Sequence, residues 1–177
     1  MIRQVAVVVA VNILWGWGMV WSDEAVADTD ACTLLSAGEI ESVVGEKVTT
    51  TPSHGVAGVR KAPGMSSTCY PIKAGIYSVR VRFGKKAADS GKKEKAGIEM
   101  FKKMGIKVTV EKHGNTTCST VIPSDPRMSG SMLGFNTTCV VEKGGLIVGV
   151  EIEAPSEAKM VPVSKVSPLA EKAASRL

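Results

Sequence analysis

The sequence predicts an α+β fold: a two-layer sandwich in which an antiparallel sheet is covered by helices, with two repeated hairpin–helix units and two disulfides. Three observations carry this. Segments of period two alternate with shorter segments of helical period. Four cysteines follow an apolar N-terminal run, and an even cysteine count in an exported chain reads as disulfides. Three of those cysteines close similar strings, "SSTC" at Ser66–Cys69 and "NTTC" at Asn115–Cys118 and Asn136–Cys139. β-branched threonine beside each cysteine suits a strand.

Residues 1–27 read as a secretory signal peptide. Arg3 supplies the charged start, an apolar run extends to Trp21, and Ala25-Val26-Ala27 supplies the small residues that a signal peptidase needs. A retained membrane anchor is the competing reading of that run. Asn12 interrupts it and polar residues follow at once, which favours cleavage after Ala27. Residues 28–177 then form a single exported α+β domain, periplasmic or secreted, long enough to bury one core. Removing Arg3, Asp23 and Glu24 with the leader leaves 21 basic and 15 acidic residues. The excess is local: twelve Lys and Arg stand between Lys73 and Lys112 against four acidic residues.

The first element is a helix over 37–44. Ser36 and Glu39 have capping-box spacing, Leu35 and Ile40 can form a hydrophobic staple, and Gly45 supplies the stop. A strand is expected around Lys47–Thr51. The Gly-, Pro- and Ser-rich stretch 51–66 reads as loop. "TCYPI" and "IYSVRVRF" flank the turn "KAG" as a hairpin, with Tyr77, Val79, Val81 and Phe83 on one face and Arg80 and Arg82 on the other. "ADSGKKEKAGIEMFKKMG" reads as a basic amphipathic helix whose buried side is Gly97, Ile98, Phe101 and Met104, ended by Gly105. "IKVTVEKH" is a strand, "TTCSTVIP" and "MLGFNTTCVVEK" bracket the loop 123–130, and "GLIVGVEIEA" is a further strand. Ser167 as cap with Pro168 at the first helical position predicts a short terminal helix.

The repeat aligns Thr68, Cys69, Lys73 and Gly75 with Thr138, Cys139, Lys143 and Gly145, and after one residue inserted in the second copy, Val79 and Val81 with Val150 and Ile152. If equivalent strands lie side by side, Arg80 and Arg82 face Glu151 and Glu153. Four cysteines allow three connectivities. Locality and symmetry favour Cys118–Cys139 around the 119–138 excursion, which leaves Cys32–Cys69.

"CTLLSAGEIESVVG" resembles the opening of a group of bacterial envelope proteins called domain of unknown function 3558. Cys32, Leu34, Leu35, Glu39, Ile40 and Gly45 carry the likeness, with Cys69 similar to that group's later strand cysteine. The resemblance covers about forty residues. It implies an exported α/β domain and no particular reaction. The lipobox typical of that group is replaced here by "TDAC", which argues against a lipid on Cys32.

No pattern for a catalytic residue, metal or cofactor stands out. There is no G-x-S-x-G, H-E-x-x-H or P-loop, no C-x-x-C pair, and His54 and His113 are isolated. Aromatic residues do not interleave with the basic ones, so nucleic acid is not an expected partner. Two classes of function remain. The first is a non-catalytic module binding an envelope component, small ligand or protein partner. The alternative is a periplasmic hydrolase with a site built from loops 51–66 and 123–130, whose polar residues are His54, Arg60, Lys61, Asp125 and Arg127. Lys92, Lys93, Lys95, Lys102 and Lys103 form a separate basic surface that would attract anionic polymers or headgroups weakly.

Overall fold

The structure is a computed structural model and describes residues 30–50, 65–86, 90–124 and 134–177. The leader 1–27 lies outside these residues. Among these residues six strands form one antiparallel sheet: β1 (Met65–Ala74), β2 (Tyr77–Lys85), β3 (Lys107–His113), β4 (Thr116–Ile122), β5 (Phe135–Lys143) and β6 (Leu146–Ala154). Their spatial order is β1-β2-β6-β5-β4-β3. Among the described residues three α-helices accompany them: α1 (Ala37–Val44), α2 (Ser90–Lys103) and α3 (Val163–Ser175). The fold is mixed α+β, as the two periodicities imply.

Strict alternation along the central strands decides which face is buried. Tyr77, Val79, Val81 and Phe83 on β2 share a face with Val148, Val150, Ile152 and Ala154 on β6. Helix α3 covers that face with Val166, Leu169, Ala170, Ala173 and Ala174, and α1 adds Ile40 and Val44. Alanines on the inner side of α3 let the helix approach the sheet closely.

Both disulfides form as locality and symmetry favour, Cys32–Cys69 and Cys118–Cys139. The register places Cys69, Val81, Val150, Cys139 and Cys118 in one row across the sheet. Asn115 accepts a backbone bond from Glu142, so Cys118 and Cys139 occupy a non-hydrogen-bonded pair. Their Cα atoms are 4.1 Å apart, the close spacing of such a site. Cys32 lies in a 3-10 turn, Ala31–Thr33, and reaches Cys69 on the outer strand β1.

The row also corrects the alignment of the repeat. Cys69 pairs with Val81, and Cys139 pairs with Val150, so Val81 rather than Val79 is the equivalent of Val150. The extra residue therefore belongs to the first copy. It is absorbed by a bulge between Cys69 and Ile72 in β1, where Pro71 can sit because the strand is at an edge. The hairpins are then related across the β2–β6 seam. A helix follows each, but the two helices lie on opposite faces. Helix α1 shares the buried face with α3, while α2 packs through Gly97, Ile98 and Phe101 on Val108, Val110, Ser119 and Val121, whose side chains point away from that core.

Several local expectations meet their physical limits here. Ser36 and Glu39 form the full capping box, and Gly45 closes α1 at φ 77°. Of the strand expected around 47–51, the described residues 47–50 hold a single bridge, Val48 to Ala74. Side chains replace the rest of that ladder: Val48 N–H donates to Glu41, and Lys73 N–H donates to Thr50 Oγ1. Strand β1 begins at Met65, inside the stretch read as loop. Helix α2 ends in a Schellman motif, with Ile106 N–H donating to Phe101 and Gly105 N–H to Lys102, which needs the positive φ that Gly105 supplies. Met104 falls at the cap and is 46% exposed, so it does not belong to the buried side. Helix α3 starts at Val163, not at Pro168, which lies inside it. Burial of Val166 and Leu169 on one stripe carries the helix through the proline, which at the sixth helical position gives up the bond its N–H would make to the Ser164 carbonyl.

The N-terminus of α1 is tied to the C-terminus of α3. Arg176 donates two hydrogen bonds to Glu39, at 2.6 and 2.8 Å, and one to the Leu34 carbonyl. Lys172 reaches the same carboxylate at 2.9 Å, and Ser36 N–H donates to it at 2.8 Å. The Arg176 guanidinium, then the Ser36 N–H and Lys172, hold the Glu39 carboxyl well below the usual carboxylate range. Its folded pKa is depressed, so its contribution is complete above the ordinary value of 4.5 and is lost as pH falls toward the folded value. Glu39→Gln keeps a capping acceptor and removes the charge. We expect it to lower stability by about 1 kcal/mol at neutral pH, roughly 2–4 °C in Tm. The gap to wild type should shrink as pH falls from about 5 to 2 in thermal melts; a gap that stays constant would contradict the role of the charge.

Candidate functional site

Helix α3 packs on β4, β5 and β6 and stops short of β3. The core-side positions of β3, Lys107, Thr109, Glu111 and His113, are therefore exposed. A groove of about 470 Å³ opens where the β3–β4 turn, the end of β5 and the C-terminal half of α3 meet. Its polar lining includes His113, Asn115, Thr116, Glu142, Lys143 and Glu171. That volume lies in the range of small-ligand sites.

Each element delivers its side chain for a local reason. His113 and Thr116 are paired across the two-residue turn Gly114–Asn115. Thr116 is 2% exposed, and its hydroxyl donates to Glu171 Oε1 at 3.1 Å. Ser167, one turn earlier on α3, donates to the same oxygen at 3.4 Å. Lys143 Nζ donates to the carbonyls of Ala174 and Leu177, both at 3.2 Å, where a cation also suits the negative end of α3. Glu142 takes Lys86 at 2.7 Å. His113 Nε2 lies 3.4 Å from Glu111, whose position two residues back on the strand puts it on the same side. The groove thus has an exposed imidazole–carboxylate pair at one lip and self-satisfied polar groups along its floor. Among the described residues no group of three or more His, Cys, Asp or Glu could hold a metal ion.

The loop residues His54, Arg60, Lys61, Asp125 and Arg127 lie outside the described residues. Lys92, Lys95, Lys102 and Lys103 are exposed on α2, and Lys93 lies in the same helix. Lys102 pairs with Glu99 at 3.1 Å. Strands β2 and β6 are neighbours, as the repeat predicts, and Arg80 stands opposite Glu151. One carboxylate serves both arginines: Glu151 takes Arg80 at 2.7 Å and Arg82 at 2.6 Å. Glu153 does not share the task. It stands opposite Ser78, because the register pairs Arg82 with Gly149.

The sequence contains one signal for the groove, the E-x-H spacing at Glu111 and His113. It contains none for Glu171, which reaches Thr116 across 55 positions. The two disulfides are those of an oxidising compartment. Among the described residues no helix is long and apolar enough to cross a membrane. The chain matches no family model, no curated protein and no solved structure.

Proposed function

We propose that the protein is an exported, disulfide-stabilised binding module that takes an envelope component, small ligand or protein partner and catalyses no reaction itself. The leader pattern, the two disulfides and the likeness of the 32–45 segment to domain of unknown function 3558 support export to the periplasm or beyond. N-terminal sequencing of exported material, expected to begin at Asp28, reads that part.

One observation carries the binding role: the floor of the groove is closed on itself. Thr116 is committed to Glu171, Lys143 to helix carbonyls and Glu142 to Lys86. The Thr116 hydroxyl faces the Glu171 carboxylate but is 2% exposed, which shields it from a substrate carbon. Such a floor is a preformed, rigid surface, and His113 and the Gly114–Asn115 turn at its lip remain for recognition.

The test uses ¹⁵N-labelled protein titrated with soluble cell-wall saccharides and short cell-wall peptides, alongside chromogenic ester and glycoside substrates. Amide shifts at Gly114, Asn115 and Lys143, weakened at least about tenfold by Glu171→Ala, are expected without turnover. Turnover that disappears in His113→Ala would replace the binding role with a hydrolytic one at this groove, and turnover that disappears in His54→Ala would place a hydrolase site in the loops 51–66 and 123–130.

A further inference from the structure

We propose that the outer edge of β3, with the apolar groove beside it, takes an extended acidic segment of a partner protein as a seventh strand. This surface lies apart from the His113–Glu171 groove and does not depend on it.

The hydrogen-bond parity of the sheet fixes which backbone groups are free. Asn115 C=O accepts from Glu142 N–H, so Thr117, Ser119 and Val121 direct their backbone groups at β5. Thr116, Cys118, Thr120 and Ile122 then bond to His113, Glu111, Thr109 and Lys107 of β3. The N–H and C=O groups of Val108, Val110 and Lys112 therefore point away from the sheet. Among the described residues β3 pairs with β4 alone and ends the strand order. An edge of seven residues with β-branched side chains, without a further strand among the described residues, is a template for strand addition.

The same residues present their side chains to the α2 face. Val108 and Val110 line a groove of about 220 Å³ with Ile98, Phe101 and Val121. Val110 is 41% exposed there, an apolar residue at the rim of the groove. An added strand hydrogen-bonded opposite Val108 and Val110 would set its own alternate side chains over this groove. Apolar residues are the match at those positions.

Charge selects the rest of the segment. Lys112 is exposed at one end of the edge on the α2 side, and Lys92, Lys95 and Lys103 are exposed on α2. Glu99 is already paired with Lys102, and Glu111 lies beside His113 on the other side of the strand. Acidic side chains flanking the apolar ones complete the surface. A second copy of the chain would bring a second lysine-rich helix to the same edge, which opposes self-pairing.

The probe is an end-capped octapeptide, Glu-Glu-Val-Thr-Val-Thr-Glu-Glu, whose two Val and two of whose Glu share one face, titrated into the full disulfide-bonded protein. Perturbed amides and slowed exchange at Val108, Val110 and Lys112 are expected, with affinity falling several-fold from 50 to 200 mM salt. Val110→Pro removes one outward N–H and no bond to β4, and should weaken binding at least about tenfold. A peptide N-methylated on the residues facing β3 should fail against unaltered protein, which covers the case of a misfolded variant. Equal binding of the N-methylated peptide, or of a Lys-for-Glu peptide, would overturn the proposal. So would binding of phosphatidylglycerol vesicles in place of the peptide, which makes the surface a lipid contact. A dimer that dissociates on Val110→Pro would likewise overturn it in favour of a second copy.

Discussion

Replacing Cys32 and Cys69 together by alanine is expected to lower the unfolding free energy by about 4 kcal/mol. The bridge closes a separation of 37 residues, and closing a loop of that length removes corresponding entropy from the unfolded chain. The Cys118–Cys139 pair spans 21 residues and should cost about 3 kcal/mol. The structural consequences differ more than the energies. Cys118 and Cys139 sit on strands already joined by backbone bonds, so their loss leaves the native sheet intact. Cys32 is joined to the sheet by its sulfur and by a neighbouring bond from Ala31 N–H to Ser67. Without it, the 3-10 turn and α1 should fray. Urea unfolding followed by circular dichroism measures the first effect. Amide exchange at Ile40 and Val44 measures the second, and unchanged protection there in the Cys32/Cys69 variant would contradict it.

Glu151→Ala should cost about 2 kcal/mol, more than Arg82→Ala, which should cost about 0.5–1 kcal/mol. The asymmetry follows from geometry. Glu151 is 20% exposed and neutralises two arginines on one strand face. Its removal leaves Arg80 and Arg82 two positions apart as like charges, and Arg80 Nε is already buried without a partner. Arg82, 42% exposed, can turn to water when its partner is lost. The check is a cycle: in an Arg80→Met, Arg82→Met background, Glu151→Ala should cost much less. An undiminished cost there would show that the carboxylate acts through something other than the two guanidinium groups.

The sequence by itself determined the elements whose signals are local. Ser36, Glu39 and Gly45 fixed α1 because a capping box and a left-handed stop act within one or two turns of chain. Alternation fixed the buried face of β2 and β6, because a strand's side chains can only alternate. The disulfide pairing was legible because Cys118 and Cys139 bracket a short excursion and two cysteines remained.

Where burial competes with local chemistry, the fold overruled the sequence. Ser167-Pro168 is a good helix start, yet α3 begins at Val163, because extending it buries Val166 on the stripe that meets β5 and β6. The faces chosen by α2 and α3 carry no linear signal. They follow from α1 and α3 filling one side of the sheet, which leaves α2 the small apolar area over β3 and β4. The groove at His113 and Glu171 belongs to the same category. Its position depends on where α3 ends relative to a sheet one strand wider than the helix layer, and only the assembled tertiary structure sets that overhang.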